Sequence, residues 1–529
     1  MRRKWICVLP LLAALFGCGK SSTPPPTAAA SSPSISSNST LRIHWQGKTK
    51  ISANGNAADL LKILDLPETL KLQDQTLDKL STAPWRLLLG QTNLTSARLF
   101  RPLLDDLVSQ ECYLEIRPAT NAPGAPNQII FSVNVNVDRA NSWQTTMTEI
   151  MRTLSADAPA SNNPAGWFVK SDSRTNFIEF THAGDWVILS LAQTHSGLLD
   201  EAIDRIKNQH TPVLASSTNA FLQAFVDFAR FGIQGSSNTL PKCSFEFKFD
   251  GASVATTGEI QFPNGDPATL EPWHIPTNWI SANAVSITAI RGLAPFLQSS
   301  KFWANVNAGS PPDQCFVWAD KEFPMQTFLA APMANASDAA TGISNWALRR
   351  EGTPRLANAL AGFQKSKTSD GLSWQGFPFF APFVHSATLD GRNFLVAGFL
   401  EADIPPGPPM AGVIEGISSK TNLVYFDREL TGFHLEQWIQ LGQALRVVFN
   451  AGQLPGDSAS FKWLVALGSR LGPSGTEITE EAPGKLSFAR KSDLGFTAIE
   501  LHALADWLES PDFPRGTFSV LVRSQEPPL

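Results

Sequence analysis

Tyrosine is nearly absent from this chain: 2 residues in 529, against 34 Phe and 15 Trp. Charge is scarce too, at 17%, below the ~25% of an average soluble chain. Lys+Arg 42 against Asp+Glu 47 gives a net charge of −5, so no global positive field invites nucleic acid, and no such partner is expected. Past the first residues no apolar run reaches 18, which excludes a spanning helix in the body. The 8 His are scattered, without HxH, HExxH or CxxC spacing. Metal ligands need close placement, so neither a metal nor another cofactor is expected. No GxSxG elbow occurs. Gly19-Lys20-Ser21 mimics the end of a phosphate-binding loop, but Ala14 stands where the leading Gly is needed. What is abundant is apolar bulk: 43% of residues, enough to bury a substantial core and to exclude wholesale disorder.

The first residues carry the strongest signal. Arg2, Arg3 and Lys4 precede the apolar run from Trp5 to Phe16. That run is too short to span a ~30 Å hydrocarbon core but suits the middle of a secretory signal. It ends in Leu15-Phe16-Gly17-Cys18, and here the chain resembles bacterial lipoprotein precursors, whose signals end in Leu, a small residue and Cys. The resemblance implies a signal peptide over 1–17, cleavage after Gly17, thioether lipidation of Cys18 and acylation of the new N-terminus. Several acyl chains, at ~0.8 kcal/mol per buried CH₂, would make the anchor effectively permanent. Gly19 after the Cys resembles the sorting pattern of outer-membrane lipoproteins, which implies an envelope location facing the periplasm. An ordinary cleaved secretory signal is the alternative.

Residues 18–40 read as a tether. Between Lys20 and Thr40, 18 of 21 residues are Ser, Thr, Pro or Ala, a composition that cannot offset its own ordering entropy. As coil it would reach about 25 Å. Loss of the signal's three cations leaves a body of net charge −8, which anionic lipid mildly repels, so the acyl chains must do the anchoring.

The body alternates strands and helices and predicts an α+β fold. Strands are expected over 42–45, 112–117, 129–137, 167–170, 177–180 and 186–191, and helices over 58–64, 96–108, 142–154 and 197–206. Cys243, Phe245, Phe247 and Phe249 alternate with Ser244, Glu246, Lys248 and Asp250, the cleanest strand period in the chain. Pro263, Pro267, Pro272 and Pro276, with Asn264-Gly265 between the first two, mark a boundary. Beyond it the order of elements repeats: Cys112 aligns with Cys315, Ile130 to Val133 with Thr327 to Ala330, and Asp185 to Ile188 with Arg392 to Leu395. We therefore expect two related halves, 41–265 and 266–529, each a mixed or antiparallel sheet with packed helices. In this the body looks like uncharacterised bacterial envelope proteins built from duplicated α+β halves. Generic strand–helix alternation is the rival explanation.

Chemistry is harder to find. His502 and Asp506, four apart, would share a helix face; a solvent-exposed ion pair beside a core of Leu501, Leu504 and Trp507 is the plainer expectation. Glu401 with Asp403, and Glu480 with Glu481, read as solvated loop charge. Cys112, Cys243 and Cys315 lie in strand-like apolar surroundings and read as free buried thiols, with a Cys112–Cys243 disulfide as the alternative. Trp273 and Trp279, near the boundary, could stack on a ligand, though core packing explains them more simply. The expected function is a lipid-anchored, non-catalytic envelope protein that binds or scaffolds a partner. One rival is a carrier of lipid or another hydrophobic ligand, which needs an apolar cavity of several hundred Å³. The other is a hydrolase with an unrecognised site, which needs His434 or His502 pointing into a cleft with a Ser, Asp or Glu within ~3 Å.

Overall fold

The computed structural model describes residues 38–514, apart from 91–93, 121–125, 156–163, 172–173, 215–218, 232–239, 264–269, 281–282, 322–325, 352–363, 369–370, 376–380, 401–411, 450–455 and 511–512. Cys18, the signal segment and most of the expected tether lie outside these residues, as do Glu401 and Asp403. The described residues form two compact units, one within Pro26–Gly265 plus Leu508–Gly516 and the other within Asp266–Trp507. Both combine antiparallel strands with helices, an α+β architecture.

The first unit contains β1 (Leu41–Trp45), α1 (Lys48–Ser52), α2 (Ala58–Leu64), α3 (Pro67–Leu89), α4 (Leu94–Ser109), β2 (Cys112–Pro118), β3 (Asn127–Asn134), α5 (Val137–Leu154), β4 (Ala165–Ser171), β5 (Arg174–Ala183), β6 (Trp186–Ala192), α6 (Gly197–Gln209), β7 (Ala220–Asp227), β8 (Lys242–Asp250) and β9 (Ser253–Gln261). The strands pair antiparallel in the order β4-β5-β6-β3-β2-β1-β7-β8-β9. Trp143, Met147, Ile150 and Met151 of α5 pack with Cys112, Val133 and Val187 on one sheet face. Leu198, Leu199, Ala202 and Ile206 of α6 pack with Tyr113, Ile130 and Ile188 on the other.

The second unit contains β10 (Ala284–Arg291), α7 (Ala294–Gln298), α8 (Lys301–Val306), β11 (Gln314–Asp320), β12 (Thr327–Pro332), α9 (Ala336–Glu351), β13 (Gln364–Thr368), β14 (Gly371–Gln375), β15 (Phe383–Leu389), β16 (Arg392–Gly398), α10 (Val413–Ser418), β17 (Leu423–Leu430), α11 (Thr431–Phe449), α12 (Ala459–Gly468), β18 (Pro473–Ala482), β19 (Lys485–Ser492) and α13 (Ala498–Glu509). Its antiparallel order is β13-β14-β15-β16-β12-β11-β10-β17-β18-β19. With β13 set aside as an added edge strand, this is the order of the first unit. Helices α8, α9 and α11 cover one face around Ala331, Leu395 and Leu441; α10 covers the other around Phe316, Trp318 and Phe426.

Several local expectations need correction. The strand expected to reach Val137 stops at Asn134, because Asn136 accepts a hydrogen bond from the Arg139 N–H and starts α5 five residues early. Ser39 and Thr40 look like tether in composition, yet both are buried. The Ser39 hydroxyl donates to Glu115 at 2.6 Å, and the Thr40 N–H donates to the Ile116 carbonyl at 2.7 Å. On β8 Cys243, Phe245 and Phe247 and their alternates Ser244 and Glu246 are all buried, so over this stretch the alternation separates two covered faces rather than inside from outside. Glu480 and Glu481 sit on β18 rather than in a loop. Cys112, Cys243 and Cys315 are free thiols, so the Cys112–Cys243 disulfide is not formed.

One ion cluster fixes the start of α6. Buried Glu179 of β5 contacts His195 Nδ1 at 2.6 Å and accepts from the Ser196 N–H at 3.1 Å, while Asp200 meets His195 Nε2 at 2.9 Å. The hydrogen bond to Glu179, then that to Asp200, raises the His195 pKa above its ordinary 6.5. The proton stabilises the folded form, so this contribution is complete below about pH 6.5 and fades as pH rises through the folded value. Glu179→Gln should return the His195 NMR titration toward 6.5 and flatten the decline of the urea midpoint above that pH.

Candidate functional site

Sheet register alone assembles the most unusual chemistry in the chain. Across β10 and β17, Ser286 pairs with Glu429 and Thr288 with Asp427. Across β17 and β18, Asp427 pairs with Thr476 and Glu429 with Ser474, and Thr476 pairs with Arg490 of β19. Paired residues of an antiparallel ladder share a face, so all seven side chains project to one side. Helix α11 begins directly after β17 and brings His434 to this face; α13 brings Glu500.

Ser286, Asp427, Glu429, Ser474, Thr476, Arg490 and Glu500 are buried, His434 and Thr288 partly so, and the groups bond to one another. His434 Nδ1 lies 2.5 Å from Glu429 Oε2, and His434 Nε2 lies 3.5 Å from Ser286 Oγ. Glu429 Oε1 accepts from the Ala498 N–H at 2.9 Å and from Ser474 Oγ at 3.3 Å, and Thr431 Oγ1 donates to Ser474 at 2.9 Å. Arg490 grips Glu500 with two donors at 2.9 and 3.1 Å, and also reaches Thr476 Oγ1 and the Gly495 carbonyl. Thr288 Oγ1 donates to Asp427 Oδ1 at 3.0 Å. Burial raises the Asp427 carboxyl well above its ordinary range, and Glu429 adds to this; the Thr288 hydrogen bond and Arg490 only partly oppose it.

The first unit shows that the fold does not require these charges. Matching the sheets through the pairs Trp45/Cys112 and Ile290/Cys315 places Leu41 at the position of Ser286, Val226 at that of Glu429 and Ala224 at that of Asp427. Cys243 and Phe245 then stand where Ser474 and Thr476 do, and Gly258 where Arg490 does. Leu41, Val226, Cys243 and Phe245 are all buried. Gly258 is small for a reason, since a Cβ there would lie 2.5 Å from the Phe245 ring. An apolar set fills this part of the sheet in one unit, and replacing buried ions by packed apolar groups is often neutral or stabilising. The charged set of the second unit is thus a departure from the apolar filling that the same strand order carries in the first.

A second feature is a cleft of about 430 Å³ between α8 and α9, within the range of small-molecule sites. Asn305, Asn307, Asn335, Asn345, Asp338 and Arg349 line it. Gly342 lets α9 approach α8, since a Cβ there would meet the Val306 carbonyl oxygen at 2.3 Å.

The residues singled out from sequence fare differently. His502 and Asp506 do share α13, but Asp506 is only 5% exposed, so they are no solvent-exposed pair. Burial lowers the His502 pKa against the pull of Asp506. Trp273 and Trp279 pack edge-on or tilted against Phe316 and Phe394, with ring centroids 5.8 and 5.3 Å apart, and Arg291 stacks on Trp273; both are core residues. Among the described residues no group of three or more His, Cys, Asp or Glu is placed to hold a metal, and no helix is long and apolar enough to cross a membrane. Sequence reasoning missed Asp427, Glu429, Arg490 and Glu500. The available signal was two carboxylates two residues apart in the apolar segment Leu423-Val424-Tyr425-Phe426 that precedes them. No protein-family model, curated protein or solved structure matches this chain.

A carboxyl whose pKa is raised on folding stabilises the fold most below its unfolded pKa of about 3.9, and loses that contribution as pH rises toward the folded value. Asp427→Asn keeps the shape and removes the titration. Its urea midpoint should gain on that of the parent as pH rises above about 4, read by tryptophan fluorescence.

Proposed function

We propose that this chain is a lipid-anchored protein of the bacterial cell envelope that binds a partner or ligand through its folded body. The observation that carries the reading is Leu15-Phe16-Gly17-Cys18 after three cations and an apolar run, followed by a segment rich in Ser, Thr, Pro and Ala. Thioether-linked acyl chains on Cys18 would hold the body at a membrane, the outer membrane facing the periplasm by the resemblance at Gly19. The matching strand orders of the two units support descent from one duplicated α+β unit.

Within the body, the cleft between α8 and α9 is the binding site in this reading. Its amides, carboxylate and guanidinium favour a polar ligand rich in hydrogen-bonding groups over an apolar one. That is why the reading prefers a binder of polar molecules to a hydrophobic-ligand carrier.

Cys18→Ala should move most of the protein from the membrane fraction to the soluble fraction, and a globomycin-type inhibitor should leave the wild type as an unprocessed precursor. Retention of the variant on membranes would count against the anchor. For the cleft, a panel of soluble oligosaccharides and short peptides can be screened by thermal unfolding. A ligand at 100 times its Kd would add about 2.7 kcal/mol of stability. Gly342→Leu, which pushes into the wall of the cleft, should abolish the gain while leaving membrane attachment intact.

A further inference from the structure

We propose that Ser286, His434 and Glu429 form a nucleophilic site that cleaves carboxylic esters with an apolar acyl part. The order of contacts is the one such chemistry needs. Glu429 fixes one imidazole nitrogen, Nδ1, at 2.5 Å, which directs the other, Nε2, at Ser286 Oγ 3.5 Å away. With the Nδ1 proton donated to a carboxylate, the Nε2 lone pair faces the hydroxyl and can take its proton. The outer contact is long for a hydrogen bond, as such contacts often are before substrate closes the site.

Glu429 is itself held in place. The Ala498 N–H and Ser474 Oγ occupy Oε1, leaving Oε2 to the imidazole. A histidine retained only for packing would not need its acceptor fixed by two further donors. The position also argues for use: the sheet-equivalent residues of the first unit are Leu41 and Val226, so the fold itself asks for neither hydroxyl nor carboxylate. Ser286 is 6% exposed and the His434 side chain 19%, so the histidine is the more accessible member of the pair. Phe433, next to His434 in the chain, is 48% exposed; the Lys321 ammonium sits 4.8 Å over its ring, and the Trp438 ring lies 6.0 Å from the imidazole. That apolar rim suits an acyl chain.

In the step inferred, Ser286 Oγ bonds to the ester carbonyl carbon as its proton passes to His434 Nε2. The tetrahedral species collapses, the bond to the alcohol oxygen breaks, and that oxygen leaves with the proton from Nε2. Water, deprotonated by Nε2, then cleaves the acyl-serine, releasing a carboxylic acid and restoring the Ser286 hydroxyl. Ester and water become acid and alcohol, with no other reactant consumed.

The probe is diisopropyl fluorophosphate, in which Oγ bonds to phosphorus and fluoride departs. The processed full-length protein should gain one diisopropylphosphoryl group, mapped to Ser286 by peptide mass spectrometry, and p-nitrophenyl butyrate should be hydrolysed with saturation. His434→Ala should slow both reactions by about 10²-fold or more, the scale of a lost general base. Glu429→Gln should slow them and shift the pH profile. His434→Asn, a smaller perturbation, serves if the alanine variant unfolds, with circular dichroism as the check on folding. Absence of an adduct at Ser286 in the folded wild type would overturn the proposal, and so would equal labelling of the folded His434 variants. Neither reagent depends on the lipid anchor or on the α8–α9 cleft, so this test can fail without that reading failing.

Discussion

Asp427, Glu429 and Glu500, three buried carboxylates of the second unit, gather beside Arg490 and His434. Taking a charge out of water costs several kcal/mol unless partners replace the solvent. The structure meets that constraint in a different way for each acid. Glu500 has a bidentate arginine and the Thr497 N–H at 2.7 Å. Glu429 has a backbone N–H, a hydroxyl and an imidazole. Asp427, with Thr288 and a more distant guanidinium, is pushed toward its neutral form. Glu429, two residues along the same strand face, adds to the burial that pushes Asp427 toward its neutral form.

That constraint explains the architecture around it. In the first unit β7 leads into a short helical turn at Phe228–Phe231, and the corresponding residues Leu41, Val226, Cys243 and Phe245 are apolar and buried. In the second, β17 leads into α11 and α12 before the sheet resumes at β18, and α11 begins with the residues that serve the cluster: Thr431 on Ser474, His434 on Glu429. The first unit carries its own buried charges on the opposite sheet face. There burial would raise the Glu115 carboxyl, but Ser39, Arg205 and Arg117 outweigh it and hold it low; Arg42 stacks on Phe225 at 4.6 Å. One strand order thus supports polar interiors on either face, with the identity of alternate residues deciding which.

Much of the fold was legible because its elements announce themselves locally. The helix over 58–64 and the strands starting at Cys112 and Trp186 follow directly from apolar periodicity. Helix α3 did not, because Pro84 interrupts its 23 residues and polar side chains dilute its stripe. The repeat was visible as element order but not as register. The alignment of Phe131 with Phe328 is one residue from the sheet equivalence of Phe131 with Leu329, and such a slip exchanges the two faces of a strand. The buried cluster was the least legible part. Asp427, Arg490 and Glu500 are ordinary charges in sequence, and only long-range pairing among β10, β17, β18 and β19 brings them together. His434 could be suspected from its residue type, but its partner five residues earlier required a strand ending where a helix begins.

The central claim is that Glu429 sets the orientation and the proton of His434. Nitrogen-15 NMR of the imidazole, recorded at a pH where the ring is neutral, reads this directly. The expected spectrum shows a proton on Nδ1, strongly deshielded by its short contact with Glu429, and an unprotonated Nε2 facing Ser286. A proton resident on Nε2, with Nδ1 bare, would contradict it.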